Sequence, residues 1–113
     1  MKVLTSFTLE ENAVIEVANK ITREGMDDLY AMSNDVEKSN IFFNLQFIFI
    51  SVKASGDRKL AAHIGYIISY YLFVLLTPPH SEEIALYYAN EAVELANKEE
   101  KYVEWVDFVK EGN

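Results

Sequence analysis

The chain is expected to fold as a single all-α domain, residues 1–113, with five or six helices around a central apolar helix, Leu60–Leu76. Three observations point there. Apolar residues recur at three- and four-residue spacing in most segments. Capping and breaking residues punctuate those segments where helices would start and stop. No stretch offers a clear partner strand, and an isolated strand leaves its hydrogen-bonding edges unsatisfied. A length of 113 residues suits one domain, and a composition of 50% hydrophobic and 13% aromatic residues supports a core without metal or disulfides.

Taken in order, Thr8 followed by Glu11 forms a capping box, in which each residue can satisfy a backbone N–H of the other. Val14, Val17, Ala18 and Ile21 then recur at i, i+3, i+4 and i+7, predicting a helix that ends near Gly25. A short second helix is expected from Met26 to Asp35, with Leu29, Tyr30, Met32 and Val36 as a weaker apolar face. The run Ile41 to Val52 is ambiguous. Its Phe and Ile content suits a strand, yet Ile41, Phe42, Leu45, Ile48, Phe49 and Val52 also fit a helix, which the missing partner strand favours. Asp57 is placed to cap Leu60–Leu76, and Thr77-Pro78-Pro79 to stop it, because proline lacks the N–H a helix needs. Ser81 is placed to cap the next helix, with Glu82 and Glu83 in its first turn where negative charge suits the dipole. That helix is expected to reach about Asn97, with Ile84, Ala85, Tyr88, Ala92, Leu95 and Ala96 inward. A last helix carries Tyr102, Trp105, Val106 and Val109 on one face, and Gly112 lies just past its end.

Charge is unevenly distributed. Residues 1–37 hold 8 acids and 3 bases, residues 38–81 hold 1 acid and 4 bases, and residues 82–113 hold 9 acids and 3 bases, for a net charge of -8. This predicts an apolar centre inside acidic outer elements. Such a surface repels nucleic-acid phosphates and anionic lipid, so neither partner is expected. The run Ala61 to Leu76 is uncharged but holds His63, Gly65, Ser69 and three tyrosines. A membrane span needs about 20 apolar residues, so a core helix is the expectation. Residues 1–6 lack the apolar stretch of a secretory signal.

Catalytic chemistry finds little footing. With 0 Cys there is no thiol nucleophile and no Cys-based zinc site. His63 and His80 belong to no H-E-x-x-H pattern. Glu10-Glu11, Asp27-Asp28, Glu82-Glu83 and Glu99-Glu100 are neighbours in sequence, so on a helix they diverge rather than share a site. The 4 glycines are too scattered for a phosphate loop. No catalytic residue, metal or cofactor is therefore assigned, and an enzyme is not expected. One surface pattern has order: Glu100, Glu104, Asp107 and Glu111 fall at i, i+4, i+7 and i+11, a stripe of carboxylates along the last helix. It reads as a candidate partner-binding site or as a solvated face. Tyr66, Tyr70, Tyr71, Phe73, Tyr87 and Tyr88 form a second set, suited to core packing with hydroxyls at the rim or to an interface.

Ala85, Ala89 and Ala92, with Ile64, Gly65 and Ile68 before them, resemble the close-packed helix pair of a tetratricopeptide repeat. The resemblance covers about thirty-five residues; solenoids generally need about three such units, and there is no second copy here. In size, acidity, lack of cysteine and lack of catalytic residues, the chain is similar to the immunity proteins that bacteria make against their own delivered toxins, as in contact-dependent growth inhibition. That resemblance implies a cytoplasmic toxin inhibitor which docks its acidic surface over the active site of a basic toxin domain, often a nuclease. The alternative expectation is a helical adaptor or scaffold that homodimerises or binds a peptide through its tyrosine-bearing helices.

Overall fold

A computed structural model describes residues 2–6 and 9–112 and contains six α-helices: α1 (Val14–Lys20), α2 (Arg23–Met32), α3 (Asp35–Ser55), α4 (Arg58–Tyr70), α5 (Ser81–Leu95) and α6 (Glu100–Lys110). Short 3-10 turns precede α1 at Lys2–Thr5 and Glu11–Ala13, and a π-helical turn, Tyr71–Leu76, continues α4. Among the described residues there is no strand. The protein is a single all-α domain, and its radius of gyration of 13.1 Å matches the value of about 13 Å usual for this length.

The ambiguous run Ile41–Val52 lies wholly inside α3, which buries Ile41, Leu45, Ile48, Phe49 and Val52 along one side. A capping box sets its start: the Asn34 side chain accepts the Glu37 N–H at 2.8 Å, and the Glu37 carboxylate accepts the Asn34 N–H at 3.0 Å. Gly56, at φ 89, terminates it in the left-handed region where a side chain would be strained. Asp57 then caps α4 as expected, its carboxylate accepting the Leu60 N–H at 3.1 Å.

Several boundaries differ from the sequence reading. The first helix stops at Lys20, not near Gly25. Ile21 turns extended (ψ 127) yet stays buried, and the Thr22 hydroxyl accepts the Gly25 N–H at 3.0 Å. Gly25 thus opens α2 instead of closing α1, because a threonine hydroxyl three residues upstream is a ready N-cap. Helix α2 starts at Arg23 and ends at Met32, and Val36 belongs to α3, where it is exposed along with the neighbouring Met32. Ser81 is the first residue of α5 and not its cap: His80 holds the cap position at φ 62, with no side-chain bond. The cause is the turn made by Pro78-Pro79, in which the Ser81 N–H donates to the Pro78 carbonyl. Helix α5 ends at Leu95, and Ile84 is partly exposed instead of inward. The Thr8–Glu11 capping box involves Thr8, which lies outside the described residues; at the described end, Glu10 precedes the turn without a side-chain capping bond.

Helix α4 is the centre. It packs against α5, α3 and α1, and its residues Ala61, Ala62, Ile64, Gly65, Ile67, Ile68, Ser69 and Tyr70 are all buried. Burial on several sides explains why this helix is apolar almost all round. By length and composition Arg58–Leu76 would suffice to cross a membrane, but 56% of its apolar window is enclosed by the protein's own helices. The α4–α5 contact is close because small residues line it. A methyl group added at Gly65 would sit 3.2 Å from the Phe49 ring and 3.4 Å from the Tyr88 carbonyl, and Ala85, Ala89 and Ala92 are fully buried opposite. Helix α6 packs on α5 and sets Trp105 against the α4 end of the core.

Candidate functional site

Helix α6 presents two different sides. Tyr102, Trp105, Val106 and Val109 face inward and are buried. Glu100, Glu104, Asp107 and Glu111 all fall within one narrow sector on the outer side and are all exposed. None of the four is within ion-pair distance of a lysine or arginine among the described residues. Lys101, next to Glu100 in sequence, lies 3.9 Å from Glu99 instead. The stripe is thus an uncompensated row of negative charge, with like charges one helical turn apart.

Beside the stripe runs a groove of about 800 Å³ between α2, α4 and α6, lined by Arg23, Glu24, His63, Tyr66, Tyr70, Val74, Lys101, Tyr102, Glu104, Trp105 and Phe108. Glu104 belongs to both features, because it sits at the groove-facing side of the stripe. The groove floor is an aromatic chain. Tyr66 meets Trp105 edge-on at 5.3 Å, Trp105 stacks on Phe108 at 5.3 Å, and Phe73 closes on Phe108 at 5.8 Å. Phe108 keeps 41% of its surface exposed, so the chain ends in an accessible ring next to Asp107.

The polar groups of the groove are held in place. Arg23 donates to the Tyr66 hydroxyl at 3.1 Å and lies 4.6 Å above the Tyr70 ring. The Tyr66 bond holds its pKa above the ordinary arginine value, against a smaller opposing effect of burial. Tyr70 donates to the Asp27 carboxylate at 2.6 Å, and burial, then this bond, push its phenol pKa up. Tyr102 is raised as well, chiefly by burial. His63 donates through Nε2–H to the Ile21 carbonyl at 2.7 Å, which fixes the chain where α1 ends. Beneath these groups the Trp105 indole N–H donates to Ser69 Oγ at 2.8 Å, and Ser69 donates to the Ala85 carbonyl at 2.6 Å. One buried relay thereby joins α4, α5 and α6 and orients the indole.

The remaining sequence candidates separate. His80 is exposed and lies 3.7 Å from Glu83, far along the chain from His63. Among the described residues no three His, Asp or Glu side chains gather as metal ligands. The tyrosine set does not form one surface. Tyr70, Tyr71 and Tyr88 are buried, with Tyr71 donating to the Lys38 carbonyl and Tyr88 accepting from Gln46, while Tyr87 is 60% exposed. Sequence reasoning brought Glu104 forward but missed the groove itself, since Arg23, His63, Tyr66 and Phe108 come from three helices with no shared spacing. Two faint signals existed: Phe108 and Lys101 fall on the flank of the carboxylate stripe, and Arg23 is a base among acids. Compared with known families, characterised proteins and solved structures, the chain matches none.

Proposed function

We propose that the protein is a non-enzymatic inhibitor of the immunity type, which binds a basic protein domain through the carboxylate stripe of α6 and the aromatic groove beside it. The observation that carries this reading is the shared position of Glu104. An unpaired anionic row borders a concave aromatic site, so long-range attraction and short-range anchoring adjoin. Protein interfaces commonly combine an aromatic anchor with a charged rim. The carboxylates attract a cationic surface from beyond contact distance, and Phe108 and Trp105 supply apolar area once it has docked. Against a nuclease-like toxin, the same carboxylates would occupy the place of substrate phosphates. A cytoplasmic, bacterial setting belongs to this proposal, as the site where such a toxin must be blocked.

The test uses the polypeptide encoded immediately upstream of this chain as the partner. Association is followed by stopped flow over a range of salt concentrations, with growth protection as the cellular readout. Combined Glu100→Gln, Glu104→Gln and Asp107→Asn changes should slow association about tenfold or more at low salt and flatten its salt dependence, with helicity unchanged. Phe108→Ala should instead speed dissociation, at a cost of about 1–3 kcal/mol. Equal protection and equal association by the triple variant would reduce the stripe to a solvated face.

A further inference from the structure

Helix α3 is apolar on two sides, and the described residues cover only one. Opposite its buried face, Val36, Phe43, Phe47, Ile50 and Ala54 follow at separations of 7, 4, 3 and 4 residues, which keeps them on one line of the helix. Their exposures are high for such residues: 57% for Val36, 65% for Phe43, 36% for Phe47 and 64% for Ile50. No charged side chain interrupts the line. Tyr87 of α5, itself 60% exposed, widens the patch near Ile50 and Ala54, where the two helices form a shallow groove. An apolar strip of this kind, interrupted only by the polar turn of Ser39 and Asn40, marks a contact surface on a chain of net charge -8.

Charge identifies what covers it. Asp35 opens α3 and Lys53 lies near its end, 18 residues and therefore five full turns later, so both lie on the same flank of the strip. Glu37 and Lys38 stand beside Asp35 at the start, and Asp57, Arg58 and Lys59 follow the end, so the start carries a net negative and the end a net positive charge. A parallel copy would set Asp35 beside the other copy's Glu37, which stands on the opposite flank of the strip, acid against acid. An antiparallel copy sets each Asp35 beside the other chain's Lys53, apolar strip on apolar strip, with helix dipoles opposed. Lys53 already donates to Glu91 at 2.7 Å but keeps 49% of its side chain exposed, so it can bridge both carboxylates.

We propose that the protein forms a two-fold antiparallel homodimer through the outer face of α3. Val36, Phe43, Phe47 and Ile50 of each copy cover those of the other. None of these residues lines the α6 groove, so the dimer leaves both acidic stripes free and stands independently of the inhibitor reading.

Sedimentation equilibrium of the full chain, from low-micromolar to sub-millimolar concentration, tests this. The expected result is a mass rising from 13.0 kDa toward twice that value. Phe43→Asp and Ile50→Asp, both at exposed positions, should abolish the rise while leaving helicity and the unfolding midpoint near those of the parent. Asp35→Lys should raise the dimer dissociation constant about tenfold, and adding Lys53→Asp should restore most of the loss. A monomer at every concentration overturns the proposal. So does a dimer that survives Phe43→Asp together with Ile50→Asp. A charge-swapped double variant no better than Asp35→Lys alone refutes the antiparallel arrangement.

Discussion

Among single residues, Ser69 has the most consequence for its size. It is fully buried on the central helix, accepts from Trp105 and donates to the Ala85 carbonyl. Its removal would leave an indole N–H buried without an acceptor, and a stranded buried donor costs more than an average hydrogen bond contributes. Ser69→Ala should lower unfolding free energy by about 1–3 kcal/mol in a denaturant titration. A loss near zero would mean that Trp105 finds another acceptor. Asn44 has a similar role at the other end of the molecule. Buried on α3, it donates to the Leu4 and Ser6 carbonyls at 2.8 and 2.9 Å and anchors the N-terminal turn. In the sequence both residues looked like polar interruptions of apolar runs. Nothing in their spacing shows which distant carbonyl they meet.

The helices differ in how openly their sequence declares them. α6 was readable in full, because its buried face, its outer stripe and the glycine beyond it agree. α3 was readable with less contrast: Ile41, Leu45, Ile48, Phe49 and Val52 keep a helical spacing that favoured a helix, but apolar residues on its other side also suit a strand. What settles it is the Asn34–Glu37 capping box at one end and Gly56 at the other. The α4–α5 pair depends on close approach at Gly65. Gly65→Val would press a branched side chain into the Phe49 ring and the Tyr88 carbonyl, and should destabilise by about 1–3 kcal/mol in thermal or denaturant unfolding. Gly65→Ala should be nearly neutral, its helix-propensity gain of about 1 kcal/mol offset by crowding. If valine is tolerated as well as alanine, the two helices are less tightly apposed than these distances imply.

For the whole molecule, three helical or π-helical segments bury tyrosines whose phenols resist ionisation. Burial pushes the Tyr71 pKa far up, and Tyr70 and Tyr102 move in the same direction. The folded state keeps protons that the unfolded chain releases near pH about 10. Stability is therefore fully present below that pH and falls as pH rises above it. Denaturant midpoints should decline in that alkaline window, with tyrosinate absorbance from these residues appearing only as helicity is lost. Complete tyrosine ionisation with the helices intact would contradict this. At the same scale the charge blocks acquire their meaning: four of the nine acids in the C-terminal block become one exposed row along α6 and its end, next to a groove that the sequence did not reveal.

Local patterns determined the all-α class, the central apolar helix, the core face of α6 and the row Glu100, Glu104, Asp107, Glu111. These follow from spacing along one helix and from caps within a few residues, interactions short enough for adjacent letters to specify. Tertiary structure alone decided that Arg23, Tyr66, Trp105 and Phe108 meet in a groove, that Ser69 orients an indole, and that the described residues leave one apolar face of α3 exposed. Each of those depends on which helices pack together, and residues tens of positions apart carry no common period from which that packing can be read.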